Sequence, residues 1–200
     1  MEGRRFEGLS RGPHTMATAE MVALLTAEEF GMRPDPGHPE ELVRGRIVDM
    51  PPPDRKHGYV CLKAGRRFGQ FVDDHDLGRV MSNDSGVITE RGPDTVRGAD
   101  VAYYSYARLP RGPLESGYGP EVPELVVEVR STSDRWGDIH EKIAEYLGAG
   151  VLVVVVLDPG PRTAHVFGAD DPPRVLDSEQ DLTLPGVLDG FSARVGSFFE

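Results

Sequence analysis

The 200-residue chain has little of what cross-links, anchors or broadly charges a protein. A single cysteine, Cys61, excludes an internal disulfide, and neither a CxxC pair nor a zinc-ligand spacing occurs. Its position on the apolar side of a helical pattern suggests an inert core thiol. The longest apolar run, Val151 to Leu157, has seven residues, against the roughly 20 that a bilayer span requires. With no secretory signal either, the expected location is cytoplasmic, with no membrane partner. Covalent hydrolysis and nucleotide cofactors find no support, because GxSxG, Walker-type and strand-linked GxGxxG motifs are all missing. Basic charge is scarce too: 22 Lys and Arg against 33 Asp and Glu leave −11, which argues against a broad grip on nucleic acid.

What is present is a small set of charges inside apolar segments. The run Leu125-Val126-Val127-Glu128-Val129 reads as a central strand buried on both faces, so Glu128 must be paired or hold a metal. Another acid, Asp100, interrupts the β-type stretch Arg97 to Tyr104. After a possible N-cap at Ser133-Asp134, the segment Arg135 to Leu147 sets Ile139, Ile143, Tyr146 and Leu147 on one helical face. At about 100° per residue, Lys142 lies roughly 60° from Ile139 and leans toward the sheet. Two carboxylates suit a hard cation such as Mg²⁺, and a lysine can orient water or offset developing charge. Each residue also has a plainer reading, Glu128 and Lys142 as a buried ion pair and Asp100 as a turn cap.

The chain resembles the Uma-type restriction endonucleases of bacteria, within the PD-(D/E)XK nuclease superfamily. The resemblance is carried by Glu41 to Ile47, His57 after Pro51-Pro52-Pro53, Ala99-Asp100-Val101, and Pro123 to Ser131. It continues through Lys142 to Tyr146 with Gly150-Val151, then Leu157-Asp158-Pro159 and Leu184-Pro185-Gly186. It implies a restriction-endonuclease-like α/β fold: a three-layer core with a mixed central sheet flanked by helices, plus an N-terminal helix and hairpin. Asp100 and Glu128 would hold Mg²⁺ or Mn²⁺, with Val129 counted among the metal-binding positions, and Lys142 would be the catalytic lysine. Arg130 stands where other superfamily members keep that lysine. Glu41 matches an acid of the opening motif and is either an accessory to the metal or a solvated residue starting a hairpin. DNA is the implied substrate, and a homodimer would cut two strands with two sites. The alternative is an inactive nuclease-fold module for binding or regulation.

Local charge partly offsets the acidic total. From Glu40 to Arg67 seven basic residues face four acids, and on a helix Lys56, Lys63 and Arg67 form a stripe. These three, with His57 and Arg130, are the substrate-binding candidates.

The expected layout is a disordered extension over residues 1–16, with Met16 or Met21 as alternative starts to Met1, then one domain over 17–200. Helices are predicted at Ala17–Phe30, with a cap near Thr26, and at Lys56–Val72. Strands are predicted in a hairpin near Glu41–Met50, then at Gly78–Thr89, Arg97–Tyr106, Glu124–Arg130, Val151–Leu157 and Thr163–Gly168. The Pro- and Gly-rich stretch Pro110–Pro123 is long enough for a flap beside the site.

Overall fold

A computed structural model describes residues 23–200, so the expected extension and the first part of the predicted opening helix lie outside the described residues. That helix, α1, spans only Ala27–Gly31. Thr26 ends it on the N-terminal side, because its hydroxyl accepts from Glu29 N–H while the Glu29 carboxylate accepts from Thr26 N–H. The reciprocal cap fixes extended backbone at residue 26, and residues 23–26 are not helical.

The hairpin follows as β1 (Glu40–Val43) and β2 (Arg46–Asp49). Helix α2 (Arg55–Asp74) starts where the Asp54 carboxylate accepts from His57 N–H at 2.8 Å. Strands β3 (Gly78–Glu90), β4 (Thr95–Ser105) and β5 (Leu125–Val129) come next, then helix α3 (Trp136–Ala149). Asp134 does not cap α3 as expected: its carboxylate accepts from Ser131 N–H, and Arg135 is the N-cap residue with no side-chain bond. Gly150 closes α3 at φ 104°, a conformation that favours glycine. Strands β6 (Val153–Asp158) and β7 (Thr163–Gly168) fulfil the last two expected strands. Three further strands were not read from the sequence, β8 (Arg174–Leu176), β9 (Asp181–Leu184) and β10 (Leu188–Arg194), before a 3₁₀ turn at Val195–Phe198.

Eight strands form one sheet in the order β2-β1-β4-β5-β6-β7-β8, with β3 also on β4. Among the described residues only the β5–β6 pair is parallel, so the sheet is mixed, as expected. Apolar residues on both faces of β5 and β6 require cover on both sides. Val60, Ala64, Phe68 and Val72 of α2 pack on one face, joined by Leu182, Leu188, Phe191 and Phe198 from the C-terminal hairpin and turn. Ile139, Ile143 and Tyr146 of α3 pack on the other, against Val126, Val154 and Val156. Three layers result.

The sheet splits at the middle of β4. One edge of β4 pairs with β1 at Val96 and with β5 only from Val101 onward. Arg97 to Asp100 lie between these two partners. Backbone groups there need acceptors from side chains, and this opening in the ladder positions the site.

Candidate metal and nuclease site

Two acids fill the opening. Glu41, from β1, accepts from Gly98 N–H at 3.1 Å, and Asp100 accepts from Val129 N–H at 2.6 Å. Strand alternation puts Val127 and Val129 on the α2 face and turns Glu128 toward α3. There Tyr146 Oη donates to Glu128 Oε1 at 2.8 Å, and Lys142 Nζ stands 3.9 Å from Glu128 Oε2. Lys142 and Tyr146 are one helical turn apart and therefore share a face. Lys142 donates more closely to Glu41 Oε1, at 2.7 Å.

Glu41 is 3% exposed and far from the solvated hairpin residue that was one expectation for it. Its other oxygen accepts from Arg97 Nη1 at 2.9 Å, and Arg97 binds Glu145 with two bonds of 2.5 and 2.8 Å. The result is a chain of buried charges running from Glu145 through Arg97, Glu41 and Lys142 to Glu128.

A cavity of about 400 Å³ opens over this network, lined among others by Glu41, His57, Asp84, Asp100, Glu128, Val129, Arg130 and Lys142. Its walls are the proline loop before α2, the loop after β5 and the first turns of α3. The stretch 110–123 does not line it, contrary to the flap expected there. Tyr118 instead stacks on Phe30, with ring centroids 5.7 Å apart.

Negative charge is in excess at the cavity. Burial, with Asp100 and Glu41 nearby, raises the Glu128 pKa from 4.5 to about 8, although Lys142 and the Tyr146 hydroxyl oppose it. Burial alone would lower the Lys142 pKa, but Glu128 and Glu41 outweigh it and hold the ammonium charged. Asp84 is also raised, first by burial and then by Asp100. A bulge in β3 between Ser82 and Ser85 turns Asp84 inward, at φ 54°. Gly98 leaves it room, since a Cβ there would meet the Asp84 Cβ at 3.0 Å, a tight contact.

Of the expected site residues, Glu41, His57, Asp100, Glu128, Val129, Arg130 and Lys142 are brought to one cavity. Lys56 lies just outside, donating to Pro159 O at 2.6 Å. Lys63 sits over the Tyr59 ring and Arg67 over Phe198, away from the cavity. Arg130 is committed to Asp158 at 3.0 Å and to Asp134 O at 3.1 Å, which ties β5 to β6. Cys61 packs against the core on the α2 side, as expected, and burial with Asp100 nearby pushes its thiol pKa up, while its sulfur lies 3.4 Å from Asp100 Oδ1. Sequence reasoning missed Asp84, Arg97 and Glu145, whose partners are distant along the chain. It also took Tyr146 for an apolar residue, although its i+4 spacing from Lys142 was a usable signal.

A family profile described as Uma2, putative restriction endonuclease, matches residues 27–196. The chain belongs to the Uma2 family. A crystal structure described as a putative nuclease belonging to DUF820, from Anabaena variabilis, aligns with a TM-score of 0.75. That alignment covers 88% of this chain and 97% of the other at 18% identity, which establishes a shared fold. No curated protein matches the chain. The Uma2 match contains every cavity-lining residue named above, from Glu41 to Lys142. Among the described residues no helix is long and apolar enough to cross a membrane.

Proposed function

We propose that the protein is a divalent-metal-dependent endonuclease that hydrolyses DNA phosphodiester bonds. The observation that carries this reading is the cluster of Asp100 and Glu128 at the split in the sheet, facing a cavity with more carboxylates than cations. The donor set fits Mg²⁺ or Mn²⁺: carboxylate oxygens at an open cavity, with Glu128 pushed toward its protonated form by burial and Asp100 despite Lys142, so that a bound cation would take the proton's place. Asp100 and Glu128 would hold the ion, with Val129 beside them. Such an ion supplies Lewis acidity and lowers the pKa of bound water.

The side chains have separate tasks. Asp100, fixed by Val129 N–H, and Glu128, fixed by Tyr146, are held in one orientation before any ion binds. Lys142 keeps its proton and reaches the cavity from α3, where it orients water or stabilises charge on the phosphate. Glu41 acts as an accessory acid by positioning Lys142. His57 faces the same cavity and is available to a phosphate. DNA as the polymer rests on the family's description, and two copies of the chain would present one site to each strand.

One observation favours a second reading. Lys142 is closer to Glu41 than to Glu128, which also suits a buried polar lock in a non-catalytic module. Supercoiled plasmid incubated with Mg²⁺ or Mn²⁺ separates the two. The endonuclease reading expects metal-dependent nicking that Asp100→Ala and Lys142→Ala abolish, with Mn²⁺ binding lost in Asp100→Ala. Cleavage that persists in both variants overturns it. An inactive wild type that binds no Mn²⁺ establishes the lock.

A further inference from the structure

We propose that His57, Cys61 and Asp100 form a second, thiophilic cation site, and that filling it draws Asp100 away from the hard-metal site and stops cleavage. Residues 57 and 61 of α2 are one turn apart, so both side chains leave the same face, and that face meets β4 at Asp100. The Cys61 sulfur lies 3.3 Å from His57 Nδ1 and 3.4 Å from Asp100 Oδ1. His57 Nε2 lies 3.4 Å from Asp100 Oδ2. One ring nitrogen, the sulfur and one carboxylate oxygen all fall within 4.8 Å of one another.

Two observations suit the cluster to a cation. Zn²⁺ bonds of about 2.0–2.3 Å set tetrahedral ligand atoms about 3.3–3.5 Å apart; the sulfur stands at that distance from His57 Nδ1 and from Asp100 Oδ1, and one nitrogen, the sulfur and one oxygen lie within 4.8 Å of one another, so small side-chain rotations bring all three onto one ion. The His57–Asp100 contact of 3.4 Å is also too long for a normal N–H···O bond. The two contacts of the sulfur are weak hydrogen bonds, which a sulfur–metal bond would replace. His57 and Asp100 line the cavity, which leaves the fourth position of a tetrahedral ion open to water.

The ligand chemistry separates this site from the Mg²⁺ site. Thiolate and imidazole favour Zn²⁺ or Cd²⁺, whereas Mg²⁺ takes oxygen. Binding replaces the S–H bond with a sulfur–metal bond and releases the thiol proton to solvent, with no change in oxidation state. Asp100 is the only residue common to both sites, and competition follows from sharing it. The binding half of the proposal stands on these three side chains alone, while the inhibitory half rests on the reading of Asp100 as a hard-metal ligand.

Titration of the full chain with Co²⁺ tests the binding half without any need for activity. The wild type should show a thiolate-to-cobalt charge-transfer band and the visible bands of a tetrahedral site, bleached by Zn²⁺ or Cd²⁺ and unaffected by excess Mg²⁺. Cys61→Ser should lose the charge-transfer band and His57→Ala should weaken it, with Cys61→Ala as a second variant whose folding is checked by circular dichroism. No band in the wild type, or the same band in a folded Cys61 variant, overturns the site. Displacement of bound Mn²⁺, followed by electron paramagnetic resonance, tests the inhibitory half. Zn²⁺ should release Mn²⁺ from the wild type at concentrations at least about tenfold lower than from Cys61→Ser, the scale on which a lost partner changes metal affinity. Equal release from both overturns the competition. A wild type that gives the cobalt band but binds no Mn²⁺ keeps the thiophilic site and removes both the competition and the proposed function.

Discussion

Arg97 ties the buried acids at the sheet opening together, spanning Glu41 and Glu145 with three bonds. All three side chains are less than 10% exposed, and while Glu41 keeps Lys142, removing the cation strands the buried Glu145 carboxylate. Arg97→Met should therefore cost about 3–5 kcal/mol in chemical denaturation, the range for breaking a buried pair from one side. Replacing Arg97 and Glu145 together with apolar residues should recover most of that loss, since Glu41 keeps Lys142 and no charge is then left unpaired. Tyr146→Phe removes one hydroxyl and its bond to Glu128. The expected cost in stability is only about 0.5–1.5 kcal/mol, whereas Mn²⁺ affinity should fall about 10–100-fold. Isothermal titration beside thermal denaturation measures both. Glu128 also gives a pH signature. Its pKa is 4.5 ordinarily and about 8 in the fold, so the folded state holds more protons between those values. This group's contribution to stability falls as pH rises through that window. Denaturation of the metal-free protein should show that decline, Glu128→Gln should flatten it, and Mn²⁺ should offset it at the upper end.

At the scale of elements, α2 carries His57 and Cys61 at one end and is held at the other by aromatic packing. Phe68 is fully buried and stacks on Phe191 at 4.8 Å and on Phe198 at 6.0 Å. Phe68→Ala should destabilise the fold by about 3–5 kcal/mol, read as a lower denaturation midpoint. Losing the same contacts should loosen the C-terminal hairpin first, raising hydrogen exchange in β9 and β10 ahead of β5. These elements were also the least legible in the sequence. Strands β5, β6 and β7 announce themselves by runs of Val and by turns, and α2 by apolar residues every fourth position. Strands β8 to β10 are three, four and seven residues long, and an exposed residue at every second position of β9 leaves little apolar signal. Tertiary packing on Phe68 holds them, and a local reading does not see it. The site divides in the same way. Asp100, Glu128 and Lys142 were legible because each breaks an apolar pattern, while Arg97 and Glu145 pair across 48 residues and leave no local trace.

For the whole molecule, the difficulty is how a chain of net charge −11 holds a polyanion. Affinity for DNA scales with the phosphates that Lys and Arg neutralise, and the two such residues that line the cavity, Arg130 and Lys142, are already paired. Only three lysines occur in the sequence. Lys142 is paired with Glu41, and Lys56 donates to a backbone carbonyl. Arg130 is held by Asp158, and Arg97 lies beneath the cavity floor. Lys63 and Arg67 lie apart from the cavity, against Tyr59 and Phe198. Attraction at the cavity itself would then come mainly from a divalent ion, which would reverse the local sign of the potential at the carboxylates. Two consequences distinguish this from a basic-groove nuclease. Binding of a short duplex should require a divalent cation, with Ca²⁺ used to avoid turnover, and should be lost in EDTA. The logarithm of affinity should fall only gently with the logarithm of salt, with a slope of about −2 to −3 for two or three phosphate contacts. Fluorescence anisotropy across a salt series measures it. A slope steeper than about −6 would reveal a basic surface larger than the cavity supplies, and binding that survives EDTA would remove the ion from the recognition of DNA.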